Sequence, residues 1–151
     1  MNKEFVMRGQ TASGETELLE FGGRKPGYGY IMTEFKLWPS TGMGTQNVEL
    51  AGSVTAAKTS EDPANSNFNN EGLIANALYN FAASSGVNYL NAGLQIVNDT
   101  FLITQNLILA VVDTYPGAPQ AVNWHCRFEA VKLNSSQEAV ANYKQFNIFD
   151  D

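Results

Sequence analysis

Residues 122–131, VNWHCRFEAV, alternate strictly between two kinds of side chain. Val122, Trp124, Cys126, Phe128 and Ala130 fall on one side of an extended chain; Asn123, His125, Arg127 and Glu129 fall on the other. An apolar face backed by a polar face at a period of two is the pattern of a half-buried strand. Residues 28–38, YGYIMTEFKLW, repeat it, with Ile31, Thr33, Phe35 and Leu37 on one face and Tyr28, Tyr30, Met32, Glu34, Lys36 and Trp38 on the other. Residues 47–56 place Val48, Leu50, Gly52 and Val54 together, and Gly52 marks a bulge or a close backbone approach. Residues 4–8 and 17–21 read as shorter strands. Residues 94–114 divide into two more, one over Thr100–Thr104 and one over Leu107–Val112, apolar on both faces as a central strand is.

Between these runs lie turn-forming stretches: QTASGET at 10–16, GGRKPG at 22–27, PSTGMG at 39–44 and YPGAP at 115–119. Strand and turn thus recur at about the 8–12 residue spacing of a sandwich or barrel. The expected fold is all-β: one antiparallel β-sandwich domain over residues 1–151, jelly-roll-like, with a short C-terminal helix. The helix is placed near 136–146, where Ala139, Val140, Tyr143 and Phe146 recur at helical spacing and Ser135 and Glu138 have the spacing of a capping box. Residues 73–83, LIANALYNFAA, fit either one helical face or a buried strand, and the pattern does not decide.

The chain is 44% hydrophobic but only 16% charged, below the usual share of about 25%. Small polar groups supply the remaining polarity. That composition suits a surface partly covered by neighbours, because interface centres are depleted in charge; it equally suits a β domain whose turns use many Asn and Gly. The net charge of −6, with nine scattered Lys and Arg, provides no basic stripe for nucleic acid and no attraction to an anionic membrane. The first ten residues, MNKEFVMRGQ, have no apolar core of signal-peptide length, which points to synthesis in a cytoplasm, so the sequons at Asn98 and Asn134 carry no weight. The longest apolar run, residues 107–112, falls far short of a membrane span of about 18 residues.

Chemistry-bearing residues are sparse. His125 and Cys126 are the one histidine and the one cysteine, and they are neighbours. On a strand they point to opposite faces and cannot form a nucleophile–base pair. Cys126 reads as a small core hydrophobe and His125 as a surface residue. A single cysteine excludes an internal disulfide and a cysteine-based zinc site, and no P-loop, dinucleotide or nucleophile-elbow motif is present. No cofactor is expected. The polar loop at 61–72 offers Asp62, Asn65, Asn67, Asn69 and Glu71 as oxygen ligands, but Ala64 stands at the third position of an EF-hand counted from Asp62. That leaves a calcium loop of another kind, or side chains that build their own turns.

One face of residues 28–38 combines Tyr28, Tyr30, Met32 and Trp38 with a mixed charge pair, the composition of an interface patch. The combination of residues 5–41, 102–114 (LITQNLILAVVDT) and 122–133 (VNWHCRFEAVKL) resembles small uncharacterised virion structural proteins of marine bacteriophages. The resemblance implies a capsid-associated role and no active site. The expectation is therefore a minor capsid protein, of cement, decoration or vertex type, located in the virion. It would pack on a major capsid protein or other virion proteins and on copies of itself. Two alternatives stand beside it. A glycan- or receptor-binding module of a tail or spike would use Trp38 with Tyr28 or Tyr30 as a sugar platform. A small hydrolase would need a pocket joining His125 to a carboxylate and a serine.

Overall fold

A computed structural model describes residues 3–21, 27–40, 47–56, 60–82, 89–117 and 119–150. Eight strands run in chain order: β1 (Glu4–Thr11), β2 (Thr16–Leu19), β3 (Tyr28–Pro39), β4 (Val48–Thr55), β5 (Leu73–Ala82), β6 (Tyr89–Val97), β7 (Leu107–Asp113) and β8 (Val122–Lys132). A helix, α1 (Ser135–Asp150), follows. The strands form two antiparallel sheets, β1-β8-β3 and β2-β7-β4-β5-β6.

This order has a simple origin. A long antiparallel ribbon pairs the first strand with the eighth, the second with the seventh, the third with the sixth and the fourth with the fifth. Rolling the ribbon up adds the pairs β8-β3 and β7-β4, both of which are present. The third pair forms no backbone ladder among the described residues: the Phe35 N–H on β3 donates to the side-chain Oε1 of Gln95 on β6 at 2.7 Å, while β6 keeps its backbone bonds to β5. The result is an antiparallel β-sandwich of three and five strands, the all-β fold expected from the strand spacing.

The core lies between the sheets. Met32, Phe35, Leu37, Cys126 and Phe128 face inward from one sheet, and Leu50, Val54, Ile74, Leu109 and Val111 from the other. β8 has the predicted alternation, with Val122, Trp124, Cys126 and Phe128 buried. β7 is central, paired on both edges, as its continuous apolar run requires. Gly52 is the predicted close approach: a Cβ there would lie 2.9 Å from Cζ of Phe35. Phe5, Phe21, Tyr30 and Phe128 pack ring to ring at one end of the core, with centroids 5.2–6.3 Å apart.

Several expectations change. Residues 73–83 resolve as a strand over Leu73–Ala82, because β4 and β6 supply backbone partners on both edges. Thr100–Thr104 is not a strand; the strand in that region is β6, and the later segment contributes one isolated bridge between Ile103 and Tyr30. The helix cap is Asn134 with Gln137 rather than Ser135 with Glu138. The Gln137 N–H donates to Oδ1 of Asn134 at 2.8 Å, and the Asn134 N–H donates to Oε1 of Gln137 at 3.1 Å. Glu138 instead accepts the Gly27 N–H at 2.9 Å. Of the predicted apolar face of the helix, Ala139, Val140 and Tyr143 are exposed and the Phe146 side chain lies outside the described residues; Ala141 alone is buried among the described side chains of the helix. The turn stretches at 22–27 and 39–44 fall largely outside the described residues. No helix among the described residues is long and apolar enough to cross a membrane.

Candidate functional site

The largest change concerns β3. Met32 pairs with Phe128 and Glu34 with Arg127, so Thr33 is an extra residue, a bulge. A single extra residue reverses the side-chain phase. Before the bulge, Tyr30 and Met32 point inward; after it, Phe35 and Leu37 do. The predicted patch of Tyr28, Tyr30, Met32 and Trp38 therefore does not exist as one face. Met32 is completely buried, and Tyr30 belongs to the aromatic cluster against Phe5 and Phe21. Tyr28 lies at the start of the strand, and Trp38, 54% exposed, lies at the other end.

Beyond the bulge the outer face of the three-stranded sheet carries a ladder of polar rungs. Val6, Arg127 and Glu34 form one rung; Arg8, His125 and Lys36 the next; Gln10, Asn123 and Trp38 the last. Glu34 holds the centre, with Oε2 3.7 Å from Nζ of Lys36 and Oε1 3.5 Å from Nδ1 of His125. The His125 contact is not a hydrogen bond, and Nδ1 has no such partner. Gln10 donates to Oδ1 of Asn123 at 3.0 Å, and Asn123 donates to the Pro39 carbonyl at 3.3 Å. Arg127 reaches Glu4 at 3.4 Å.

An open groove of about 810 Å³ runs over these rungs and is lined by Arg8, Glu34, Lys36, Trp38, Tyr79 and His125, among others. Tyr79 comes from β5 of the other sheet. Its ring centroid lies 5.6 Å from that of Trp38 at 51°, so the two sheets each contribute an aromatic to one wall. Burial pushes the Tyr79 hydroxyl up from its ordinary pKa. Cys126 lies on the opposite side of β8 in the core, where burial pushes its thiol up as well. His125 has a carboxylate beside it, and the described lining residues bring no serine, threonine or cysteine to it.

A second surface was not legible in the sequence pattern. Leu78 and Leu94 pair directly across β5 and β6 and point outward, as does Ile96 opposite Asn76. Phe68, from the 61–72 loop, borders the same shallow dent of about 300 Å³. All four side chains are exposed, from 43% for Leu78 to 67% for Leu94, and none of the described residues around the dent is charged. Leu78 was hidden because it fits a helical core face as well as a strand's outer face. Phe68 was the available signal: a large apolar residue alone in a polar loop.

In the 61–72 loop the side-chain oxygens of Glu61, Asp62, Asn67 and Asn70 accept bonds from the loop itself. Asp62 accepts from the Ala64 N–H at 3.0 Å and from the Asn65 side chain at 2.9 Å. Glu61 accepts from the Asn67 N–H at 2.7 Å and from the Asn70 side chain at 2.6 Å. No cluster of three or more His, Cys, Asp or Glu side chains able to hold a metal occurs among the described residues. These are the turn-building contacts that Asn and Asp provide.

The chain matches no protein-family model, and none of the curated proteins matches it.

Proposed function

We propose that this chain is a structural protein of a virus particle, a minor capsid component of cement, decoration or vertex type that packs on a major capsid lattice. The observation that carries the reading is the outward apolar surface of Phe68, Leu78, Leu94 and Ile96. Four large apolar side chains beside one dent, without a charged neighbour among the described residues, favour burial against another protein. Each such side chain contributes about 1.5–3 kcal/mol when fully removed from water. The sandwich scaffold supports the same reading. Its strand order ties residues distant in sequence into two sheets, and such a body presents its outer faces rigidly to neighbours.

Quantitative mass spectrometry of purified particles, with the major capsid protein as internal standard, tests the proposal. A fixed copy number per particle is expected, high for cement or decoration and low for a vertex. Absence from the particles overturns it.

A further inference from the structure

We propose that the groove over the three-stranded sheet binds a saccharide that carries a carboxylate, a property beyond the packing role above. Three features of the groove point to that class of ligand. The first is its aromatic wall. Trp38 is half exposed, and Tyr79 stands behind it at 5.6 Å, which fixes the indole while leaving apolar surface open. A sugar ring presents a flat array of C–H groups that packs on such a surface.

The second is the row of planar polar groups beside it. Asn123 occupies the rung of Trp38 itself, and Arg8 and His125 the next one, and all three line the groove. Amide, guanidinium and imidazole groups at successive rungs match adjacent sugar hydroxyls, each of which both donates and accepts. A groove of about 810 Å³ has the size of a small-ligand site, with a few polar groups fixing orientation.

The third is charge. The chain as a whole carries −6. In the groove, Arg8 and Lys36 face one carboxylate, Glu34, which Lys36 and His125 already approach at 3.7 and 3.5 Å. Arg8 has no ion-pair partner among the described residues. The groove is thus locally cationic on an acidic protein. Arg8 presents a fork suited to a carboxylate held two-pronged, the geometry of a uronic acid lying on the Trp38 wall.

The test is a titration of the isotopically labelled full-length chain with trigalacturonic acid, followed by amide and indole resonances. Maltotriose and triglutamate serve as neutral-sugar and acidic-peptide comparators. Saturable shifts at the Trp38 indole and the Asn123 side chain are expected with trigalacturonic acid, and binding of both comparators at least about fivefold weaker. Trp38→Ala is expected to weaken binding about tenfold or more, while Trp38→Phe largely restores it. Arg8→Gln is expected to weaken trigalacturonic acid toward the level of maltotriose. Both positions are exposed, and retained dispersion of the amide spectrum reports that each variant is folded. No saturable shift up to about 10 mM, equal binding of maltotriose, or equal binding of triglutamate each overturns the proposal. The particle measurement does not involve the groove, so the two proposals fail separately.

Discussion

Trp124 sits against Gly9 so closely that a Cβ on the glycine would lie 2.8 Å from Cζ2 of the indole. The two residues face each other across β1 and β8, and the indole N–H donates to Oγ1 of Thr11 at 2.9 Å. That hydroxyl in turn donates to Glu17 on β2 at 3.2 Å, so one tryptophan ties together the corner where the chain changes sheets.

Gly9→Ala is therefore expected to destabilise the protein by about 1–3 kcal/mol through overpacking. Urea denaturation followed by tryptophan fluorescence measures it. Combining Gly9→Ala with Trp124→Phe is expected to recover part of the loss, since the atoms that clash belong to the larger ring. A purely additive double variant would show that the loss comes from elsewhere.

The bulge at Thr33 makes a sharper contrast. Met32→Ala is expected to cost about 2–5 kcal/mol, because the side chain is fully buried among core neighbours. Trp38→Ala is expected to cost less, because the ring is half exposed and leaves no closed cavity. Had the two residues shared one outer face, both changes would be mild. Parallel urea curves of the two variants decide.

Thr33 also marks where sequence reasoning stopped. The strands β1, β3, β4, β7 and β8 were legible because each alternates or runs apolar within its own residues. A bulge has no such signature: Thr33 is a normal strand residue, and its displacement is set by pairing with β8, about a hundred positions away. Leu73–Ala82 was ambiguous for a related reason. Its apolar residues fit two periods, and the pairing of β4 and β6 to its edges selects one. The groove was half visible, in Trp38. Its other aromatic, Tyr79, is brought from the second sheet and has no sequence neighbour that announces it.

Cys126 gives a prediction with a defined pH sense. Burial raises its thiol above the ordinary value of 9.0, so the folded protein holds it neutral where the unfolded chain would ionise it. The resulting stability is fully present below pH 9.0 and declines as pH rises above it. A disulfide-exchange reagent at pH 8 is expected to leave Cys126 unmodified in the native protein and to react fully in denaturant. Rapid labelling of the folded chain would contradict the burial of this residue.

Asp62 titrates in the opposite sense. The Asn65 side chain and then the Ala64 N–H bond its carboxylate and lower its pKa below 3.8. The turn is thus stabilised above pH 3.8, and that contribution is lost as pH falls through the lower folded value. Asn65→Ala is expected to return the Asp62 pKa toward 3.8, read from its side-chain carboxyl carbon shift. An unchanged titration midpoint would mean that the Asn65 amide is not the main cause.

The apolar surface on β5 and β6 separates packing from folding most directly. Leu94 and Ile96 are among the most exposed large apolar residues described, so Leu94→Asp with Ile96→Asp removes apolar area without opening the core. The fold is expected to persist, with a melting temperature within a few degrees of the parent, because surface changes stay within about 0.5 kcal/mol each. A charge on each strand position, however, would have to be desolvated in any contact that covers it, at a cost of several kcal/mol. Incorporation of the variant into particles is therefore expected to fall at least about tenfold relative to the parent chain, measured by competition between tagged copies during assembly. Equal incorporation would show that this face stays in water in the assembled particle, and the packing surface would then have to lie elsewhere on the sandwich.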